Sequence, residues 1–131
     1  MKKNIKDLED ILNYKFKDSS LLKLALIHKS FDNVNNNEKL EFLGDRVLGL
    51  IISKKLIEIY PSEKEGIIDK KFANLVNKKT CLNIAKKINI SNFMTLGPSQ
   101  KHLQRSADKI MSDCLEALIG AIYLDRDIKH V

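Results

Sequence analysis

Residues 37–61 constrain the fold of this chain more than any other stretch. The sequence NEKLEFLGDRVLGLIISKKLIEIYP has no proline before Tyr60-Pro61, and it begins at Asn37, a residue type that favours the N-cap of a helix. The stretch therefore predicts one long helix. Leucine, isoleucine and valine occupy most faces of that helix, which indicates a central position in an all-α fold.

Three acids of this helix share one narrow stripe, namely Glu38, Glu41 and Asp45. Further along, the same stripe carries Leu48 and Ile52, so we expect it to face inward rather than solvent. Carboxylates on a buried face need cations or hydrogen-bond partners. The stripe is thus a first indication of a metal site, although for Glu38 the helix dipole alone favours an acid in the first turn.

The composition is that of one helical domain with a core. The chain has 131 residues, 44% of them hydrophobic, with only five glycines and two prolines. No stretch has the length of a membrane span or the character of a signal peptide, so we expect a soluble, cytoplasmic protein. A net charge of +6 favours an anionic partner such as nucleic acid, although lysine-rich surfaces also serve solubility alone.

Cysteine and histidine give no sign of a site. Cys81 and Cys114 are far apart and belong to no CxxC pair, which argues against zinc and against a disulfide framework. The histidines show no ligand spacing either, so we assign no metal role to His28, His102 or His130.

Hydrophobic spacing predicts further helices around the central one. We expect them at residues 4–13, at residues 21–28 with Ser19 or Ser20 as the cap, twice within residues 62–90, and at residues 106–124 with Ser106 as the cap. Residues 96–105 should form a mobile polar loop. The lysines after Pro61 are expected on a solvated face, where some could meet phosphate, and Asp108 and Asp125 should be surface or end charges.

The last predicted helix repeats the pattern of the central one. Asp113 and Glu116 lie three residues apart on one face, and Gly120 follows Glu116 by one turn as Gly49 follows Asp45. Glycine costs roughly 1 kcal/mol against alanine inside a helix, so two matching glycines predict that the helices cross near Gly49 and Gly120. The crossing would bring together the carboxylates of Glu41, Asp45, Asp113 and Glu116.

Four converging carboxylates favour a hard divalent cation. They would repel one another unless neutralised, and oxygen donors are the ligands that Mg²⁺ prefers. A carboxylate-held Mg²⁺ activates a bound water and stabilises charge on a phosphoryl oxygen, and a second metal about 4 Å away would stabilise the leaving oxygen. The pattern indicates metal-assisted hydrolysis of a phosphate ester, and nothing in it selects RNA.

The amino-acid sequences of the two acidic segments are more informative than the spacing of their acids. NEKLEFLGDRVLGL and DCLEALIGAIYLD closely resemble the paired signature of the ribonuclease III family, and ALIHKSF, ANLVNKKTC and LGP are similar to it in the right order. The resemblance covers residues 1–131 as one bacterial-type endonuclease domain. It implies a homodimer that cleaves double-stranded RNA with Mg²⁺, for which Mn²⁺ could substitute. Products would carry 5′-phosphate and 3′-hydroxyl ends, as in rRNA and mRNA processing, with no small-molecule cofactor.

The resemblance also implies roles for the acids. Glu41, Asp113 and Glu116 match the metal ligands of the family, and Asp45 matches the carboxylate named with Glu116 as catalytic and placed at the metal. Glu38 matches an acid near the cleft that supports the substrate or the organisation of the site.

Two further matches concern the dimer. Phe42 is expected in the dimer interface, with core packing as the alternative, and Glu65 matches an acid tied to the dimer and its active-site valley. The chain departs from the family at Arg46, where a small residue is usual, and at Ser99-Gln100 after the LGP turn. It ends where another helix is expected and has no C-terminal double-stranded-RNA-binding domain. We therefore expect a fragment with weak, salt-dependent RNA affinity.

Two alternatives stay open at this point. A non-catalytic member of the same fold could bind A-form RNA by its shape without cutting it. An all-α nucleotide pyrophosphatase would also place acid pairs on helices and use Mg²⁺, although the words LEFLGD and EALIGA argue against it.

Overall fold

A computed structural model describes residues 4–98 and 104–131, without the side chains of residues 104–106. The described residues contain six α-helices, two short 3₁₀ turns and no strand, which confirms the predicted all-α class. The helices are α1 (Ile5–Leu12), α2 (Ser19–Ala25), α3 (Glu38–Ile59), α4 (Glu65–Leu75), α5 (Lys78–Lys87) and α6 (Gln104–Asp125), and the 3₁₀ turns are Ile90–Asn92 and Ile128–His130. Within this described part, no helix combines the length and the apolar character that crossing a membrane requires.

Helices α3 and α6 form the centre of the fold. From Ile110 to Ile122 nearly every residue of α6 is buried, and on α3 the buried positions include Leu40, Val47 and Leu56. Helices α1, α2 and α5 add Leu8, Leu22, Ala25, Cys81 and Ala85 to the core, and the segments between helices add residues such as Ile90 and Phe93. Helix α4 has no buried residue and lies against α3. Both cysteines are buried free thiols.

The two central helices touch backbone to backbone at a glycine pair. A Cβ on Gly44 would lie 1.7 Å from the carbonyl oxygen of Glu116, and a Cβ on Gly120 would lie 2.2 Å from the carbonyl oxygen of Leu40. The predicted crossing is therefore right for Gly120 and wrong for Gly49. A Cβ on Gly49 would meet only the Phe72 ring of α4, at 3.6 Å. Because both glycines lie within one helix, their local sequence does not tell which of them faces α6.

Helix α3 begins after Asn37 as predicted, but two predicted capping hydrogen bonds are wrong, at Asn37 and at the start of α2. Asn37 precedes α3, but its buried side chain donates to the carbonyl oxygen of Ala25 at 3.1 Å instead of capping the helix. Asn36 accepts from the Glu38 amide in its place. Helix α2 is capped by Asp18, whose carboxylate accepts from the Ser20 amide at 3.0 Å.

Helix α2 ends at Ala25, three residues before the predicted end, because the chain that follows pairs with a distant segment. Ile27 and Thr95 form an isolated parallel bridge, in which His28 N–H donates to the Thr95 carbonyl at 3.0 Å. Helix α6 begins at Gln104, two residues before the predicted start. Residues 99–103 of the predicted loop at 96–105, and with them the Ser99-Gln100 departure, lie outside the described residues, and the loop prediction is wrong for residues 104 and 105, which belong to α6.

Asp125, predicted as a surface or end charge, is a structural anchor. Its carboxylate accepts from the Tyr14 hydroxyl at 2.6 Å and from the amides of Lys17 and Asp18 at 2.8 and 2.9 Å. Burial alone would raise the pKa of Asp125, but these hydrogen bonds outweigh it and hold the pKa below its usual value. The end of α6 is thereby joined to the connector between α1 and α2.

The glycine contact at the α3–α6 crossing can be tested with two alanine substitutions in the same helix. Gly44→Ala should lower the free energy of unfolding by about 3 kcal/mol or more, since its Cβ overlaps a backbone carbonyl that cannot move alone. Gly49→Ala, the matched control, should gain up to about 1 kcal/mol from helix propensity. Urea unfolding measures both, and similar effects at the two positions would contradict the assigned crossing.

Candidate active site

The crossing of α3 and α6 brings four carboxylates into one region. Glu41 and Asp45 lie on α3 beside the contact at Gly44, and Asp113 and Glu116 lie on α6 before Gly120. Asp113 and Glu116 are buried, with 8% and 5% of their surface exposed, whereas Glu41 is half-buried and Asp45 exposed. The two helices thus place acids at different depths of a single cluster.

The four acids form two pairs across the helices. Burial raises the pKa of Glu41, and the neighbouring Asp113 charge raises it further. Burial raises the pKa of Glu116 to about 7, and a hydrogen bond with Asp45 adds to the effect. Both shifts follow from placing like charges close together in a partly dry environment. Glu116 consequently changes its protonation state near neutral pH.

Two lysines provide the counter-charge for the buried acids. The Lys78 ammonium lies 2.8 Å from Asp113 Oδ1 and 3.4 Å from Glu116 Oε1, and the Lys109 ammonium lies 2.5 Å from Asp113 Oδ2. Burial raises the pKa of Asp113, but these lysines lower it more, so it stays below its usual value. The carboxyl of Asp113 is therefore ionised and fully paired with ammonium groups.

Sequence reasoning missed both lysines as partners of the acids. Lys109 precedes Asp113 by four residues on α6, a spacing that could have indicated the pair. Lys78 is the first residue of α5, and no local pattern relates it to α6. Among the described residues, no three or more His, Cys, Asp or Glu side chains form a group arranged to hold a metal. Lys78 and Lys109 thus supply positive charge beside the two buried acids, Asp113 and Glu116.

A cleft of about 210 Å³ opens beside the Glu41–Asp113 pair. Glu38, Glu41 and Asp113 contribute carboxylates to its wall. The other residues of the wall are His28, Lys29, Asn37, Lys109 and Ile110. Glu38 is exposed at this cleft, while Asp45 and Glu116 do not contribute to its wall.

His28 is held on the wall of this cleft by its neighbours. The Ser30 amide donates to His28 Nδ1 at 3.1 Å, and the Ser30 hydroxyl lies 2.7 Å from the same nitrogen. Burial and the adjacent Lys29 charge lower the pKa of His28, which keeps the ring neutral at physiological pH. No ligand spacing in the sequence points to this residue, and only the fold places it beside the acids.

Phe42 and Glu65, the two residues expected at a dimer interface, are both exposed and away from the core. Phe42 has 62% of its surface exposed, so core packing, the alternative for this residue, is wrong within this chain. The Arg46 guanidinium covers its ring at 3.8 Å from the centroid and lies 3.5 Å from the Asp45 carboxylate. Glu65 begins α4, and no contact of the described structure joins it to the four carboxylates.

Comparison with known proteins identifies the family. The family model described as Ribonuclease-III-like matches residues 18–131, most of the chain. Ribonuclease 3 of Pelagibacter ubique is 60% identical over 129 residues, which cover 98% of this chain and 58% of that protein. The chain belongs to the ribonuclease III family. The resemblance found in the signature segments is thus confirmed.

Other relatives agree on the domain. Ribonuclease 3 of Campylobacter jejuni strain RM1221 is 44% identical over 124 residues, covering 94% of this chain and 55% of that protein. A solved nuclease domain of ribonuclease III from Campylobacter jejuni, described with flexibility in a region involved in dimer formation, has a TM-score of 0.91 at 42% identity and covers 96% of this chain and 89% of its own. The structure of Dicer from Pichia stipitis has a TM-score of 0.65 at 26% identity and covers 87% of this chain and 48% of its own. The chain spans somewhat more than half the length of these curated relatives.

The raised pKa of Glu116 predicts a stability cost at alkaline pH. The folded protein keeps this proton up to about pH 7, whereas the unfolded chain releases it near 4.5, so stability falls as the pH rises between these values. Glu116→Gln should therefore raise the free energy of unfolding by roughly 1–3 kcal/mol at pH 8 in EDTA, and by little at pH 5. Urea unfolding at both pH values measures this.

Asp113→Asn is the matched control, because the pKa of Asp113 is shifted in the opposite direction. Its ionised form stabilises the fold above its usual pKa of 3.8, and this contribution is lost only as the pH falls below that value. The variant should be less stable than the parent at pH 8. A change of the same sign in both variants would contradict the electrostatic arrangement described for the site.

Proposed function

We propose that this chain is the nuclease part of an endoribonuclease that hydrolyses phosphodiester bonds in double-stranded RNA with Mg²⁺. The observation that carries the proposal is the convergence of Glu41, Asp45, Asp113 and Glu116 from two crossing helices in a domain of the ribonuclease III family. Glu38 would support the substrate or the site from the wall of the cleft beside Glu41 and Asp113. Residues 1–131 would act as a single catalytic domain.

The chemistry of the donor set fits a hard divalent cation. Every candidate ligand is a carboxylate oxygen, the donor type that Mg²⁺ prefers. Burial raises the pKa values of Glu41 and Glu116, and the neighbouring carboxylates of Asp113 and Asp45 raise them further, so a bound cation would favour the ionised forms of both. Glu41, Asp113, Glu116 and Asp45 would hold Mg²⁺, with Mn²⁺ able to replace it. When bound, the ion would activate water and stabilise charge on the phosphoryl group.

The residues of the chain would prepare the site for that ion and for the substrate. Glu116 must release its proton to become a ligand, which at a pKa of about 7 is possible under physiological conditions. Lys78 and Lys109 are largely exposed at 64% and 72% of their side chains, so both can leave Asp113 without disturbing the core. Once released, their ammonium groups would be available to backbone phosphates of the RNA.

Charge and composition support RNA as the substrate. The net charge of +6 attracts a polyanion, and this attraction should weaken as the salt concentration rises. Cleavage would leave 5′-phosphate and 3′-hydroxyl ends and would serve the processing of rRNA and mRNA in the cytoplasm. These are properties that the family resemblance implies for this chain.

A second copy of the chain would cover the exposed apolar face of α3. Phe42, Leu50 and Ile57 repeat at helical spacing along one side of α3, and each is about 60% exposed. Exposed apolar surface of this kind marks interaction sites. Glu65 on α4 would lie at the edge of such an interface and close the valley between two active sites.

One observation favours a binding-only alternative. The lysines already neutralise Asp113, and the described residues hold no group arranged for a metal, as a scaffold that binds RNA without cutting it would also show. The family assignment itself argues against a nucleotide pyrophosphatase.

Cleavage of a labelled RNA duplex with Mg²⁺ and with EDTA tests the proposed activity. Asp45→Asn and Glu116→Gln should each lower the cleavage rate by roughly 100-fold or more, since even changes around a metal ligand cost 10- to 100-fold. Asp108→Asn, an exposed acid on the same helix as Glu116, should stay within about twofold of the parent. The product ends are read in parallel.

Each alternative has its own signature in this assay. Duplex binding without Mg²⁺-dependent cleavage would establish the scaffold and overturn the nuclease proposal. Hydrolysis of nucleoside triphosphates in preference to the duplex would establish a pyrophosphatase.

The proposed dimer is tested by sedimentation of two charge substitutions. Phe42→Glu should weaken self-association by roughly tenfold or more, because it places a carboxylate in the centre of the apolar face. Phe31→Glu is the control, an aromatic of similar exposure, 59%, on the loop before α3. A monomeric parent, or equal effects of both changes, would contradict the assigned interface.

A further inference from the structure

His28 lines the carboxylate cleft, yet the proposed function gives it no role. The residue belongs to the segment ALIHKSF, which contacts the LGP turn of the chain. Its ring shares the wall of the cleft with Glu38, Glu41 and Asp113. A side chain at this place can reach a molecule that enters the cleft.

Hydrogen bonds fix which ring nitrogen of His28 carries the proton. The Ser30 amide, which can only donate, points at Nδ1 from 3.1 Å, so Nδ1 is an acceptor. The Ser30 hydroxyl accepts from the Gly97 amide at 2.9 Å and lies 2.7 Å from Nδ1, which directs its own proton to the same nitrogen. The proton of the neutral ring is therefore on Nε2.

The backbone on both sides of the ring is equally fixed. His28 N–H donates to the Thr95 carbonyl at 3.0 Å, and Thr95 N–H donates to the Leu26 carbonyl at 2.8 Å. A Cβ on Gly97 would lie 2.1 Å from the Ser30 carbonyl oxygen, so only glycine allows the turn to approach this closely. The two segments together hold one imidazole in one tautomer at one position.

Within the described residues, no side chain or backbone group accepts a hydrogen bond from His28 Nε2–H, and no buried side-chain nitrogen or oxygen lacks a partner. The free N–H is therefore open to solvent at the cleft. We propose that His28 contacts the substrate, with Nε2–H donating to an oxygen of the RNA backbone, and that Ser30 and Gly97 are positioning residues that hold the ring for this contact. This inference rests on the proposed function.

The competing explanation is that His28 serves only to hold the turn through Ser30. Two substitutions separate these roles, because each retains one half of the imidazole. The substitution His28→Asn keeps an acceptor near the place of Nδ1 and removes the donor at Nε2. The substitution His28→Gln keeps a donor near the place of Nε2 and removes the acceptor for Ser30. The two roles therefore predict opposite orders of effect.

Binding of a labelled RNA duplex, measured with Ca²⁺ in place of Mg²⁺ to prevent cleavage, gives the decisive comparison. His28→Asn should weaken duplex binding by roughly 3- to 10-fold, the cost of one hydrogen bond, and should raise KM for cleavage more than it lowers kcat. His28→Gln should bind more tightly than His28→Asn. Thermal unfolding of both variants separates loss of contact from loss of fold.

The opposite order would overturn the proposal. If His28→Asn binds like the parent while His28→Gln loses both binding and thermal stability, the role of His28 is structural. The tautomer is tested without RNA by the nitrogen-15 signature of His28, which should show the proton on Nε2. A proton on Nδ1 would refute the inference even if the chain is an active nuclease, whereas a parent that neither binds nor cuts duplex RNA refutes the proposed function.

A duplex with single 2′-deoxy substitutions near the scissile phosphate identifies the acceptor. If the acceptor is a ribose hydroxyl, one substitution weakens binding to the parent but not to His28→Asn. If His28→Asn weakens binding as expected and its effect adds to that of every 2′-deoxy substitution, the acceptor is a phosphate oxygen. If His28→Asn leaves binding unchanged, additivity at every site shows that His28 makes no contact with the RNA.

Discussion

The arrangement of this domain depends on the backbone contact between α3 and α6 at Gly44 and Gly120. A Cβ at either position would overlap a carbonyl oxygen of the other helix, so the contact exists only because both residues lack a side chain. Each glycine weakens its own helix by roughly 1 kcal/mol, and the packing of buried residues such as Ala117 and Ala121, both fully buried, offsets that cost. The same contact brings the acids of the two helices within reach of one another.

Bringing these acids together creates an electrostatic conflict that the fold resolves only in part. Lys78 and Lys109 neutralise Asp113, but Glu116 keeps a pKa near 7 because it is buried beside Asp45. Such a group lowers the stability of the folded protein at alkaline pH. A site that destabilises the fold in this way is typical of function, since selection retains it for activity rather than for stability.

The site is built from more of the chain than the two acidic helices. The segment around His28 meets the turn at Gly97 through Ser30 and through the bridge of Ile27 with Thr95. His28 and Lys29 of this segment form part of the wall of the cleft. Two segments that resemble the family, ALIHKSF with Ser30 and LGP with Gly97, are therefore in contact although these two residues lie 67 positions apart. The apolar face around Phe42 lies on the same helix as Glu41 and Asp45, which would couple any dimer to its active sites.

The sequence by itself determined the helices, the spacing of the acids and the family. Helix periodicity is a local property of the sequence. The acids of α3 and α6 are spaced so that they share a face of their helix, and this spacing can be read directly from the sequence. Only the tertiary structure decided that Gly44 rather than Gly49 meets Gly120. The tertiary structure also decided that Lys78 lies beside the acids, that the side chain of Asn37 donates to the Ala25 carbonyl, and that Asp125 accepts from the Tyr14 hydroxyl. In each of these cases the local sequence is compatible with several partners. The partner that is found lies far away in the sequence, so only the packing of the whole chain selects it.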